Sequence, residues 1–184
     1  MNATPLKAKN DLIQNIVFGI SRSGAFQHNK IYAGDLIVKP TKDFNFYLKN
    51  KLSEVLTEIK TKSNYSEDDH YETLKLFVKD VSKANKHLLH DGKITLGTAQ
   101  KLVNLYWKMS WLLQSNVPVP IHCPFDGIII KGLGKTVKHI KWTKMVAMKE
   151  YKQLVAAAKE KSGADTLANW ELIHYNVGNG IVNA

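Results

Sequence analysis

Residues 98–114 read TAQKLVNLYWKMSWLLQ, and the fold turns on how that stretch is understood. Leu102, Val103, Leu105, Tyr106, Trp107, Met109, Leu112 and Leu113 leave few polar sides, the pattern of a helix surrounded by protein in the middle of a domain. Thr98 is the expected N-cap. One narrow face departs from this pattern: Lys101, Asn104, Lys108 and Trp111 follow each other at three-, four- and three-residue steps, so they stack along one side. An uncompensated buried ammonium is costly. Either these lysines reach past the helix to solvent, or they face a polar cleft that uses them.

Working outward, apolar positions recur at helical spacing from Asp43 to Lys62 and again from Ser66 to about His90. Ser66, followed by Glu67, Asp68 and Asp69, is a strong N-terminal signal, and Asp91-Gly92 is the expected stop. Between Gly92 and Gly97 there is room only for a tight hairpin, so the local reading is helix, hairpin, helix. Further helices are expected near Asp11–Arg22, from Gly127 to Lys131 behind an Asp126 cap, near Thr143–Lys161, and from Asp165 to about Tyr175. A short strand could occupy Ile31–Pro40. No repeat or low-complexity run interrupts the chain. The expectation is one all-α domain spanning 1–184.

The composition, 44% hydrophobic and 23% charged, is that of a globular chain with a core of its own. A single cysteine, Cys123, excludes an internal disulfide, and no Cys/His pair has zinc-ligand spacing, so neither metal nor cofactor is expected. The reading is a monomeric cytoplasmic protein, with no apolar leader in Met1–Asn10 and no membrane span, since prolines and Asp126 break the most apolar stretch. The net charge of +10 directs attention to a polyanion, with DNA the first partner to consider. Arg22 is the only arginine, which favours diffuse phosphate attraction over bidentate reading of base edges. Gly134-Lys135-Thr136 lacks the upstream glycine of a nucleotide phosphate loop. A thiol nucleophile at Cys123 is set aside, because adjacent His122 points away from it and such cysteines are commonly buried.

Two strings carry a family likeness: Gly97-Thr98-Ala99-Gln100-Lys101, and Val119-Pro120-Ile121-His122-Cys123-Pro124-Phe125-Asp126. Together they resemble the signature of the helix-hairpin-helix DNA glycosylase superfamily, with a lysine opening the post-hairpin helix and a Pro-x-Asp segment delivering an aspartate to a later helix N-terminus. The nearest likeness is to the archaeal 8-oxoguanine glycosylases, which carry a second lysine two turns on, as Lys108 follows Lys101. The likeness spans about a quarter of the chain. It departs from the family in having Ile94-Thr95-Leu96-Gly97 for the Leu-Pro-Gly-Val-Gly hairpin and no Thr-His after Asp126. Small uncharacterised bacterial proteins also resemble it in the Ala-Gln-Lys and His-Cys-Pro-x-Asp segments.

The resemblance implies a helix-hairpin-helix glycosylase-like bundle that excises a damaged or modified base, with Lys101 as nucleophile and Asp126 as catalytic carboxylate. Breaking an N-glycosidic bond develops positive charge at C1′, which a carboxylate stabilises; a neutral amine can attack the same carbon and leave a Schiff base, often with strand nicking as an accompanying lyase activity. Unpaired amides at Leu96, Gly97 and Thr98 would bind a backbone phosphate, with Lys108 and Lys135 adding charge. A flipped base would need a pocket, for which Asn104, Trp111, Phe125 and Trp142 are the candidates. Oxidised purines, or modified bases in foreign DNA as part of antiviral defence, are the substrates to consider. The rival reading is a non-catalytic basic helical DNA-binding module in which Lys101 and Asp126 form a structural ion pair.

Overall fold

The buried residues of the 98–114 stretch, Ala99, Leu102, Val103, Tyr106 and Trp107, lie at the centre of a hydrophobic cluster to which every helix with described side chains contributes. In the computed structural model, which describes residues 4–34 and 42–178, the chain is all-α. Its helices are α1 (Pro5–Phe26), α2 (Lys42–Thr61), α3 (Glu67–Ala84), α4 (Leu96–Leu113), α5 (Gly127–Leu133), α6 (Met148–Ser162) and α7 (Leu167–Gly178). Short 3-10 turns stand at His90–Gly92 and Trp142–Lys144. Helix α4 is the hub: α1, α2, α3 and the Trp142–Lys144 turn all pack on it, while α5 packs on α6 and α7. This explains why α4 is apolar on most sides.

Local chemistry sets most helix ends. Thr4 caps α1 with Pro5 at its first position, so the helix is longer at both ends than the expected Asp11–Arg22. Ser66 and Asp69 form the reciprocal capping box at α3. Asp126 Oδ1 accepts from the amides of Ile128 and Ile129 at 2.9 and 3.1 Å, capping α5 as expected. Asp43, a plausible N-cap from its place just before the apolar run, stands instead in the first turn of α2.

Four expectations are corrected. Helix α3 stops at Ala84, not near His90, because Asn85 turns the chain and the carbonyls of Leu88 and Ile31 enter an antiparallel bridge that pairs Tyr32 with Leu89. The link to α4 is therefore the whole run from Asn85 to Thr95, with a left-handed Gly92 (φ 67°) in its 3-10 turn, and not a tight Gly92–Gly97 hairpin. The cap of α4 is Thr95, whose Oγ1 accepts from the Thr98 amide at 3.1 Å. The helix expected from Thr143 is split into the 3-10 turn and α6, with extended backbone at Met145 and Ala147 between them. The bridge at Tyr32 is the only β pairing among the described residues; most of the expected Ile31–Pro40 strand, residues 35–40, lies outside them.

Candidate active site

Lys101 follows Gln100 on α4, and Asp126 follows Phe125 in the segment before α5. The Gln100 side chain is fully buried and clasps the backbone of Phe125 from both directions. Its Nε2 donates to the Phe125 carbonyl at 2.8 Å and its Oε1 accepts from the Phe125 amide at 3.1 Å. One turn on, Asn104 Nδ2 donates to the Cys123 carbonyl at 3.0 Å. These two amides tie the Cys-Pro-Phe segment to the start of α4. The next residue on each side then meets the other: Lys101 Nζ lies 3.3 Å from Asp126 Oδ2. With Oδ1 held by the α5 amides, Asp126 presents only Oδ2 to the lysine. Lys101 is only 7% exposed, and its ammonium lies 4.5 Å from the centre of the Trp142 ring.

The pair opens onto a cleft of about 700 Å³ bounded by α1, α4, the start of α5 and α7. Its polar lining includes a second buried pair. Lys108 Nζ donates to both carboxylate oxygens of Glu171, at 3.0 and 2.7 Å, and lies 5.2 Å from the Tyr175 ring centre. Burial pushes the Glu171 carboxyl up, and Lys108 opposes that shift. Leu105, Met109 and Ile20 supply apolar wall, and Gln27 and His28 from the end of α1 close one side. Glu171 and Tyr175 escaped sequence reasoning. The signal was present in α7, where Glu171 shares a buried face with Leu167 and Ala168, an unusual place for a carboxylate.

Of the other expected site residues, the cleft gathers Lys108 and Trp142 and leaves the rest elsewhere. Asn104 is fully buried inside a hydrogen-bond network. Phe125 is fully buried against Tyr151, and Trp111 is half-buried against the core; neither lines the cleft. Lys135 is exposed on the loop after α5. The expected phosphate cradle at Leu96, Gly97 and Thr98 is corrected: all three are buried, the Gly97 amide donates to the Met145 carbonyl at 2.9 Å, and the Thr98 amide is spent on its cap. Burial pushes the Cys123 thiol well up, which keeps it protonated and unsuited to nucleophilic attack.

Behind the cleft, Asn104 joins two buried histidines. His70 Nε2 donates to Asn104 Oδ1 at 2.8 Å, Asn104 Nδ2 donates to the Tyr151 hydroxyl at 3.0 Å, and that hydroxyl meets His122 Nδ1 at 2.9 Å. His122 Nε2 faces Glu67 at 3.6 Å, and its neighbourhood, with Lys159 and Tyr71, holds the Glu67 carboxyl well below the carboxylate range. Desolvation lowers both imidazoles, His70 from 6.5 to about 3. A depressed histidine stays neutral in the fold while the unfolded chain protonates below 6.5. Its contribution is therefore present above that pH and is lost as pH falls toward 3. Stability to urea is expected to fall between pH 7 and pH 4, by up to about 1.4 kcal/mol per pH unit from His70, with His122 acting in the same direction and Glu171 in the opposite sense. A flat profile over that range in the Glu171→Gln variant, where the opposing carboxyl is gone, would mean that the rings are solvated.

Among the described residues, no group of His, Cys, Asp and Glu could hold a metal ion, and no helix is long and apolar enough to cross a membrane. Comparison with protein families, curated proteins and solved structures finds no match.

Proposed function

We propose that this chain is a DNA glycosylase that excises a damaged or modified base through a Schiff base on Lys101, assisted by Asp126, within a helix-hairpin-helix glycosylase-like bundle. The observation that carries the reading is the meeting of these two residues at 3.3 Å, both largely withdrawn from water, on the wall of a cleft with room for a single flipped base. Trp142 and Tyr175 offer aromatic surface to such a base, and the Lys108–Glu171 pair offers donors and acceptors for its edge.

In the reaction, Asp126 Oδ2 accepts a proton from Lys101, and the freed Nζ lone pair attacks C1′. The C1′–N bond breaks with its electron pair going to the departing base, which takes the proton held by Asp126. Opening of the sugar ring then moves one of the two protons left on Nζ to O4′ and leaves the Nζ=C1′ iminium. The carboxylate restored at Asp126 by the proton's transfer to the base then stabilises the positive charge of the iminium. The direct test is borohydride reduction of the protein mixed with duplex DNA carrying 8-oxoguanine opposite cytosine, followed by hypermodified cytosines. A covalent adduct and release of free base are expected.

Asp126→Asn is expected to slow single-turnover release by roughly 10²–10³. Asn is an equally good cap, but the substitution leaves the buried Lys101 ammonium without its carboxylate, so the urea midpoint should fall while the variant still folds. An unchanged rate would leave Asp126 only its capping role. The alternative, a non-catalytic DNA-binding module, draws on that capping role, since a structural ion pair would look the same. Salt-sensitive retention of DNA with no adduct on any substrate would favour it.

A further inference from the structure

Two smaller hollows adjoin the cleft. One, of about 280 Å³, is lined by Lys30, Lys93 and Lys144 together with His28, His90 and Asp91. The other, of about 370 Å³, is lined by Lys131, Lys138 and Lys141 and by no carboxylate. Thr143 lines both hollows. His28 belongs to the first hollow and to the cleft, while Trp142 and Gly127 belong to the second hollow and to the cleft. The cleft mouth is thus flanked by two lysine-lined depressions meeting at one residue. None of the six lysines pairs with a carboxylate among the described residues. Asp91, the one carboxylate lining either hollow, stands 3.7 Å from His90. By contrast, the two lysines on the wall of the cleft itself are both neutralised, by Asp126 and Glu171.

Unpaired cations spaced along a concave surface attract a chain of phosphates more than a single anion, because each contact releases a counterion of its own. We infer that the two hollows form one track for the sugar-phosphate backbone of a DNA strand, running past the cleft through Thr143. The inference rests on DNA being the partner. It assigns the anchoring role that the spent amides of Gly97 and Thr98 leave open to side chains on four segments: the loop after α1, the link before α4, helix α5 with its following loop, and the Trp142–Lys144 turn. Lysine, with its point charge and flexible stem, suits backbone contact without base reading.

The test is fluorescence anisotropy with a labelled unmodified 20-base-pair duplex between 50 and 300 mM KCl. Lys93→Gln/Lys144→Gln and Lys138→Gln/Lys141→Gln are each expected to lower the slope of log affinity against log salt by about 1.8, two contacts at about 0.9 apiece. Lys149→Gln/Lys152→Gln, on α6, is expected to leave the slope alone. Inorganic phosphate at constant ionic strength should not displace the duplex; efficient displacement would make the hollows a free-phosphate site instead. Unchanged slopes in both track pairs, or an equal fall in the α6 pair, would overturn the track. A parent protein that binds with this lysine dependence but never forms a borohydride adduct sinks the glycosylase reading and leaves the track standing. One with no affinity at 50 mM salt sinks both.

Discussion

Lys101→Gln is expected to abolish the borohydride-trapped adduct and the release of base altogether, while DNA binding persists. The reason is chemical: a carboxamide nitrogen has no available lone pair for attack at C1′, and no other lysine lies against Asp126. Lys108 is two turns along the same face, but both oxygens of Glu171 occupy its ammonium. The substitution leaves Asp126 without its cation. Breaking a fully buried pair costs about 3–5 kcal/mol, but Asp126 keeps some water and both amide donors, and Gln can donate to it, so the expected loss lies well below that range. Circular dichroism and anisotropy on the same preparation separate lost chemistry from lost fold. A folded variant that still traps would remove Lys101 from the reaction, and if Lys108→Gln then abolished trapping, the nucleophile would be Lys108.

The second large effect is expected at Gly97, through packing. A Cβ at this position would stand 1.6 Å from the Trp142 carbonyl oxygen and 2.7 Å from its carbonyl carbon. Both are backbone atoms, so relief requires moving the whole Trp142–Lys144 turn, which the Gly97 amide also holds through the Met145 carbonyl. Overpacking of this kind costs typically 1–3 kcal/mol, and Gly97→Ala is expected at the upper end, about 3 kcal/mol by urea denaturation. The damage should extend to the site, because the turn that moves carries the Trp142 ring against Lys101. Trapping should slow even where the variant is fully folded. A parental urea midpoint would show that the turn shifts freely and that α4 is not fixed against it.

Signals confined to a few neighbouring residues survived the passage to three dimensions. The all-α character followed from apolar spacing, the Ser66 and Asp126 caps from single side chains with their nearby amides, and the central place of α4 from its being apolar on most sides. Boundaries that depend on distant partners did not. Helix α3 stops short because Leu88 and Leu89 meet Ile31 and Tyr32. The start of α4 moved for a local reason, since Thr95 rather than Thr98 supplies the cap.

The candidate site divides along the same line. Lys101 and Asp126 were legible because each stands in a short string with a chemical reason for its position. Glu171, Tyr175 and the six flanking lysines were not, because each is an ordinary residue until the chain folds. What the sequence determined by itself was the helices, the Ser66 and Asp126 caps, the basic charge and one face of α4 that apolar packing could not explain. The tertiary structure alone decided that Gln100 and Asn104 would bind the backbone before α5, drawing Asp126 to Lys101, and that the amides expected to hold phosphate would instead hold the protein together. A helix is built from contacts three and four residues apart and can be read from neighbours, whereas a buried amide chooses its partner only when segments distant in sequence share one desolvated space.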